Sequence, residues 1–299
     1  MNKYLLTFLV ISFVSIFFFG TYVGLYKIFP YEFLDSSKDV LFGQKTIEKN
    51  QFAEQSSIDS LIRIYDKSDI DKKRNFLTEF FWDVGSLQRV KDKSQLPEVE
   101  SGISDSNYKD FQNLKRIDRL TVEMEYGINS VSYLFIPEQS NEKLILYHQG
   151  HGGDFLLGKD TIQFFLDRNF TVLAMAMPLL GMNNQPVVEI DGLGEMKLIS
   201  HKKLRLLEAN NFNPMKLFLD PVQTNLNFLD KEYNFKQYSM IGLSGGGWTT
   251  VVYSAIDERI SDSFSVAGSM PFYLRVDERD IGDYEQTNID LYQNVNYLE

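Results

Sequence analysis

The chain has 299 residues, 43% of them hydrophobic and 14% aromatic, with a net charge of −11 and no cysteine. That is enough apolar surface for a sizeable core, and it excludes an intrinsically disordered chain. The acidic balance argues against nucleic acid as a partner, because phosphate-backbone binding wants clustered Lys and Arg. Without cysteine there is no disulfide, no thiolate zinc site and no cysteine nucleophile.

Tyr4 to Tyr26 carries no charged residue over 23 positions, enough to span a bilayer as a helix. A cleaved signal peptide is the competing reading, but its apolar region is shorter and ends at small residues, which Phe17-Phe18-Phe19-Gly20-Thr21-Tyr22 does not offer. The expectation is an uncleaved single-pass membrane anchor over 1–29, with the globular part outside the cytoplasm. The Lys count around the span, Lys3 against Lys27 and Lys38, barely discriminates orientation.

Residues 30–110 read as a linker followed by a small helical segment. Pro30 to Ser57 has no period. Ser57 to Tyr65 and Asp71 to Trp82 show helical spacing, the second with Phe76, Leu77, Phe80 and Phe81 on one face, Ser68 and Asp71 as a capping-box-like start and Gly85 as a stop. Core packing accounts for that aromatic face. Lys91 to Asp110, charged and Ser-rich, reads as a surface connection.

From Arg119 the pattern alternates: Leu120, Val122 and Met124, then Val131, Tyr133 and Phe135 after a turn at Gly127-Ile128-Asn129, an antiparallel hairpin. Lys143 to His148 is a continuous apolar strand of the kind buried in a parallel sheet. A helix over Thr161 to Arg168 leads to another strand, Phe170 to Met177, completing a strand–helix–strand unit. Leu179 to Asn213 is long for a connection, with a helix near Lys202 to Leu207; His201 there reads as a solvated helix-start residue. Asn213-Pro214 caps a helix running to about Phe228 with a kink at Pro221. Ser261 to Val266 reads as one more strand.

Two glycine-rich loops carry the chemistry. The stretch Gln237 to Tyr253 reads as strand, turn and helix, with Gly242-Leu243-Ser244-Gly245-Gly246 matching G-x-S-x-G. Such a turn is too sharp for bulky neighbours, so small residues two before and two after the serine are a steric requirement, and Ser244 is the candidate nucleophile. The second loop, His148-Gln149-Gly150-His151-Gly152-Gly153, follows a strand. An acyl-transfer oxyanion needs backbone N–H donors at one point, and glycines let a carbonyl approach the main chain. The donors would be the N–H of Gly245 and those around Gly150, His151 and Gly152. His148, Gly242 and Gly246 read as supporting residues. No acidic or thiolate residue clusters in sequence with His148 and His151, so neither a metal nor a cofactor is expected.

With these motifs in this order the chain resembles the α/β-hydrolase superfamily, nearest its dienelactone-hydrolase and acetylxylan-esterase-like members, over about Leu120 to Pro271. The resemblance implies a mostly parallel sheet with helices on both faces over 111–299. It also implies a serine hydrolase acting through an acyl-enzyme on a small-molecule or glycan ester. One departure matters. In that fold the acid and the histidine follow the nucleophile, yet the three histidines are His148, His151 and His201, and 55 residues follow Ser244. Asp277, Asp280 and Asp283 read as solvated surface. Three readings stay open: a hydrolase lacking its carboxyl-terminal part, His151 or His201 as an upstream base, or a membrane-anchored binding or scaffold protein without catalysis.

Overall fold

The computed structural model describes residues 3–26, 58–83, 96–275 and 281–299 of the chain. The linker expected after Pro30, the Gly85 stop, Asp277 and Asp280 lie outside these residues. The chain forms two units, Met1–Glu54 and Gln55–Glu299. In the first, helix α1 (Lys3–Tyr26) covers the uncharged stretch. No helix among the described residues is long and apolar enough to cross a membrane, so the expected anchor finds no support there.

In the second unit the described residues begin at Ile58, in helical conformation, and the Leu61 N–H reaches the Ile58 carbonyl at 2.9 Å, so the helix expected to run to Tyr65 ends earlier. Helix α2 (Lys67–Trp82) follows, starting four residues before the predicted Asp71. Its cap is Asp66, whose Oδ1 accepts the N–H groups of Ser68 and Asp69 at 2.7 and 3.2 Å. That leaves no role for Ser68 and Asp71 as a capping box. The helix closes on Asp83 in the left-handed conformation, φ 53°. Leu77 and Phe81 are buried in the core, with Phe76 and Phe80 packed against it, as the aromatic stripe requires.

A seven-stranded sheet is the centre of this unit. Its strands are β1 (Glu98–Ile103), β2 (Leu114–Glu123), β3 (Asn129–Pro137), β4 (Lys143–His148), β5 (Thr171–Met175), β8 (Gln237–Leu243) and β9 (Ile260–Val266). The order is β1-β2-β3-β5-β4-β8-β9. β5, β4, β8 and β9 run parallel, while β1, β2 and β3 extend the sheet antiparallel beyond β5. β1 corrects the expected surface connection over Lys91 to Asp110: it is an edge strand whose exposed Glu98 and Glu100 blunt a free backbone ladder.

Alternation along the strands divides the core in two. Leu144 and Leu146 face one layer with Met240, Leu226 and Trp248. Ile145 and Tyr147 face the other with Val172, Ile162 and Leu166. Helices α2, α5 (Asp220–Glu232) and α6 (Gly245–Ile256) therefore cover one face, and α3 (Lys159–Leu166) covers the other. The α/β sheet with helices on both faces is the architecture expected.

The long connection after β5 holds a small hairpin that the sequence did not disclose, β6 (Val187–Ile190) with β7 (Gly194–Lys197), and then the short helix α4 (His201–Leu204). The single kinked helix expected from Pro214 to Phe228 is two elements. A 3-10 turn over Pro214–Phe218 has its cap at Asn213, which accepts the Met215 N–H, and α5 starts afresh at Asp220. Pro221 sits in the first turn of α5, where its missing N–H costs nothing, and so it starts a helix instead of bending one.

Candidate active site

β8 delivers the chain to Ser244 between β4 and β9, and α6 begins at the next residue, two earlier than expected. Ser244 has φ 54° and ψ −120°, a backbone conformation seldom adopted by a residue with a side chain. Holding it costs on the order of 1–3 kcal/mol, which its surroundings must supply. They do so by tying down both ends of the peptide: the Ser244 N–H donates to the Val266 carbonyl at 2.7 Å, and its carbonyl accepts the Trp248 N–H at 3.1 Å. A Cβ on Gly242 would run into the Gly246 carbonyl, and one on Gly246 into the His148 carbonyl. The two glycines thus meet the steric requirement read from the motif.

Parallel pairing sets His148 beside Gly242, so the loop after β4 leaves next to the serine turn. Gly150 is pressed against it. A Cβ there would lie 2.7 Å from the Ser244 Cβ and 3.1 Å from the Gly245 nitrogen. Gly245 opens α6, and the first N–H groups of a helix have no acceptor within it. The structure therefore brings Ser244, Gly245 and Gly150 together at the carboxyl end of the parallel strands. Ser244 is half-buried, so its hydroxyl is not sealed in the core.

The three histidines differ. His148 is buried, and its Nδ1 lies 2.9 Å from the Gln149 carbonyl, so that nitrogen carries the hydrogen. Burial pushes its pKa down to about 4. The imidazole is neutral near pH 7, tied to backbone as the sequence suggested. His151 lies with one edge against Gly245: its Cε1 and Nδ1 are 2.5 and 2.7 Å from the place where a Cβ on that glycine would be. Its other edge presents Nε2 to Glu285, 2.8 Å from Oε1, and to Asp283, 3.6 Å from Oδ2.

His201 corrects the expectation of a solvated residue. It is 2% exposed, its Nε2 lies 2.9 Å from the Pro178 carbonyl, and its ring stands 5.0 Å from that of His151. Its Nδ1 is 3.3 Å from Glu285 Oε2 and 3.5 Å from Asp283 Oδ2. Burial alone would lower its pKa, but the two carboxylates outweigh burial and raise it to about 9. Asp283 is held down to about 2, chiefly by His201. Glu285 is fully buried, yet the two histidines keep it below the usual carboxylate range.

Asp283 and Glu285 are the residues sequence reasoning missed. Asp283 looked like solvated surface and Glu285 drew no attention, since neither stands near a histidine in the chain. The absence of an acidic partner for His151, read from the sequence, does not hold in space. His151, His201, Asp283 and Glu285 each offer one ligand-type atom, all within 4.8 Å of one another, so these four could hold a metal ion; His148 is not among them.

Strand order, a strained serine between a parallel strand and a helix, and a glycine loop against it point one way. The chain resembles an α/β-hydrolase. No protein-family model matches the sequence, and none of the curated proteins does. Among solved structures it is similar to acetyl xylan esterase 1 from Thermoanaerobacterium sp., at 19% identity over 76% of this chain and 67% of that one, TM-score 0.47. It is similar to an acetyl xylan esterase-like protein from Bacteroides fragilis at 15% identity, over 65% and 51% of the two chains, TM-score 0.48. A Pyrococcus furiosus esterase matches at 12% identity over 59% and 57%, TM-score 0.39. The chain thus spans about half to two thirds of the length of these proteins.

Proposed function

We propose that this chain is a serine hydrolase of carboxylic esters, of small-molecule or glycan origin, working through an acyl-enzyme on Ser244. The observation that carries the reading is the backbone of Ser244, φ 54° at the tip of a parallel strand and pressed against the loop at Gly150. Strain of this kind is kept where a side chain must stand clear of the sheet. Attack by Oγ on the ester carbonyl would place negative charge on the former carbonyl oxygen. The N–H of Gly245 and the backbone of Gly150, His151 and Gly152 are the donors proposed for it. The hydroxyl proton needs an acceptor. His151 is proposed for it, since its Nδ1 edge faces the serine turn and Glu285 meets its far side. The acid and base would then be Glu285 and His151, in an order unlike the family's.

Labelling with a fluorophosphonate probe tests the reading. Wild-type protein should label and Ser244→Ala should not. A folded wild-type chain that fails to label supports the second reading, a non-catalytic binding protein. For the amino terminus we infer a single-pass membrane anchor, with the globular part outside the cytoplasm, from the uncharged run Tyr4 to Tyr26. Retention in the membrane pellet after carbonate extraction is the expected result, and release into the supernatant would overturn it.

A further inference from the structure

We propose that His151, His201, Asp283 and Glu285 form a binding site for one divalent transition-metal ion. Three independent features of the cluster carry this. The first is that its buried polar atoms meet only one another. His151 Nε2, His201 Nδ1 and both carboxylate oxygens of Glu285 are buried, and none closes a hydrogen bond of acceptable geometry. With the Asp283 carboxylate, they face one another as ion pairs 2.8 to 3.6 Å apart. Buried polar groups left this way cost on the order of 1–3 kcal/mol each, more when charged. Two imidazole nitrogens and two carboxylates converging at one place form a donor set suited to an ion between them.

The second feature is spacing. A metal bound by imidazole nitrogen and carboxylate oxygen at about 2.1 Å separates its ligand atoms by about 3.4 Å in a tetrahedron and about 3.0 Å in an octahedron. The nitrogen–oxygen separations here, 2.8, 3.3, 3.5 and 3.6 Å, lie near those values, and one ligand atom from each of the four residues falls within 4.8 Å of the others.

The third is the fixed tautomer of His201. Its Nε2 is 2.9 Å from the Pro178 carbonyl, an acceptor only, so Nε2 keeps its hydrogen and Nδ1, facing the cluster, is the nitrogen left to ligate. A backbone carbonyl behind a ligating imidazole is the arrangement that orients such ligands. A divalent cation on Nδ1 would displace the proton that the carboxylates favour on His201, and with both rings then neutral it cancels the −2 of Asp283 and Glu285. Two imidazoles select a transition metal over calcium or magnesium, which prefer oxygen alone. The site does not depend on the hydrolase reading. A cation on Nε2 of His151 would, however, leave the proton on Nδ1, and the loaded ring could not take the Ser244 proton.

The test is calorimetric titration of chelator-treated full-length protein with zinc chloride, alongside elemental analysis. One equivalent per chain is expected for wild type and for Ser244→Ala, which separates metal binding from catalysis. His201→Gln and Glu285→Gln should each weaken binding at least 100-fold. Because either variant could unfold, cobalt(II) added to wild type supplies a second measurement: paramagnetic shifts of the His151 and His201 ring protons. Fewer than 0.1 equivalents of zinc in wild type, unshifted ring protons, or unaltered affinity in folded His201→Gln would overturn the proposal.

Discussion

Replacing Gly150 by alanine tests the geometry on which the proposed chemistry stands, because it adds one methyl group and removes no hydrogen-bond donor. The new Cβ would lie 2.7 Å from the Ser244 Cβ, 3.1 Å from the Gly245 nitrogen and closer still to the Leu243 carbonyl, where ordinary contact begins at 3.4 Å. The chain at 243–245 cannot retreat, since the Val266 carbonyl and α6 hold it. The loop after β4 must therefore move away by about 1 Å, a misplacement that typically costs ~100-fold in rate, or about 2.7 kcal/mol of transition-state stabilisation. Crowding should also lower stability by about 1–3 kcal/mol. Gly152→Ala is the comparison: it lies in the same loop, its backbone N–H is also kept, and the atoms nearest its Cβ would be 3.7 Å away. Its loss should stay below about 10-fold, well short of the donor-removal range. Rates of fluorophosphonate labelling and of 4-nitrophenyl acetate hydrolysis, read beside thermal melts, measure both. A folded Gly150→Ala protein that keeps wild-type rates would refute the placement of this loop over the serine.

Three further outcomes follow from the buried polar and apolar groups. His148 has its pKa depressed to about 4, so the unfolded chain takes up the proton first as pH falls; stability is full above about 6.5 and is lost towards 4. The loss should reach about 3 kcal/mol, and urea midpoints measured across that window should be flatter in His148→Gln. Arg259→Ala strands the buried Asp257, whose Oδ1 it contacts at 3.0 Å, and should cost about 3–5 kcal/mol by urea unfolding, partly restored by adding Asp257→Ala. Trp248→Ala empties a fully buried position and leaves the Tyr292 hydroxyl without the indole N–H, for a loss of about 3–5 kcal/mol in the same assay.

Residues that act on their near neighbours in the chain were legible without coordinates. Alternation marked β2 and β3, continuous apolar runs marked β4 and β5, and the glycines at 242 and 246 announced a turn at Ser244 that only small neighbours permit. Elements whose meaning lies in a remote partner were not. β1 has no apolar face to declare it and exists because β2 offers it a ladder. Pro221 looked like a kink because nothing nearby shows that the preceding turn has already ended at Phe218. The same holds for the cluster at His151. Its acidic members come from positions 283 and 285, more than 130 residues away, and His201 enters from a third segment.

By itself the sequence determined the α/β class, the strained serine between strand and helix and the glycine loop that pairs with it, because periodicity and steric exclusion are local properties of a chain. Tertiary structure alone decided which charges meet. Folding buries His201 and Glu285 against each other and turns His151 between the serine and that acidic pair. No spacing along the backbone encodes a contact that three separate loops must close.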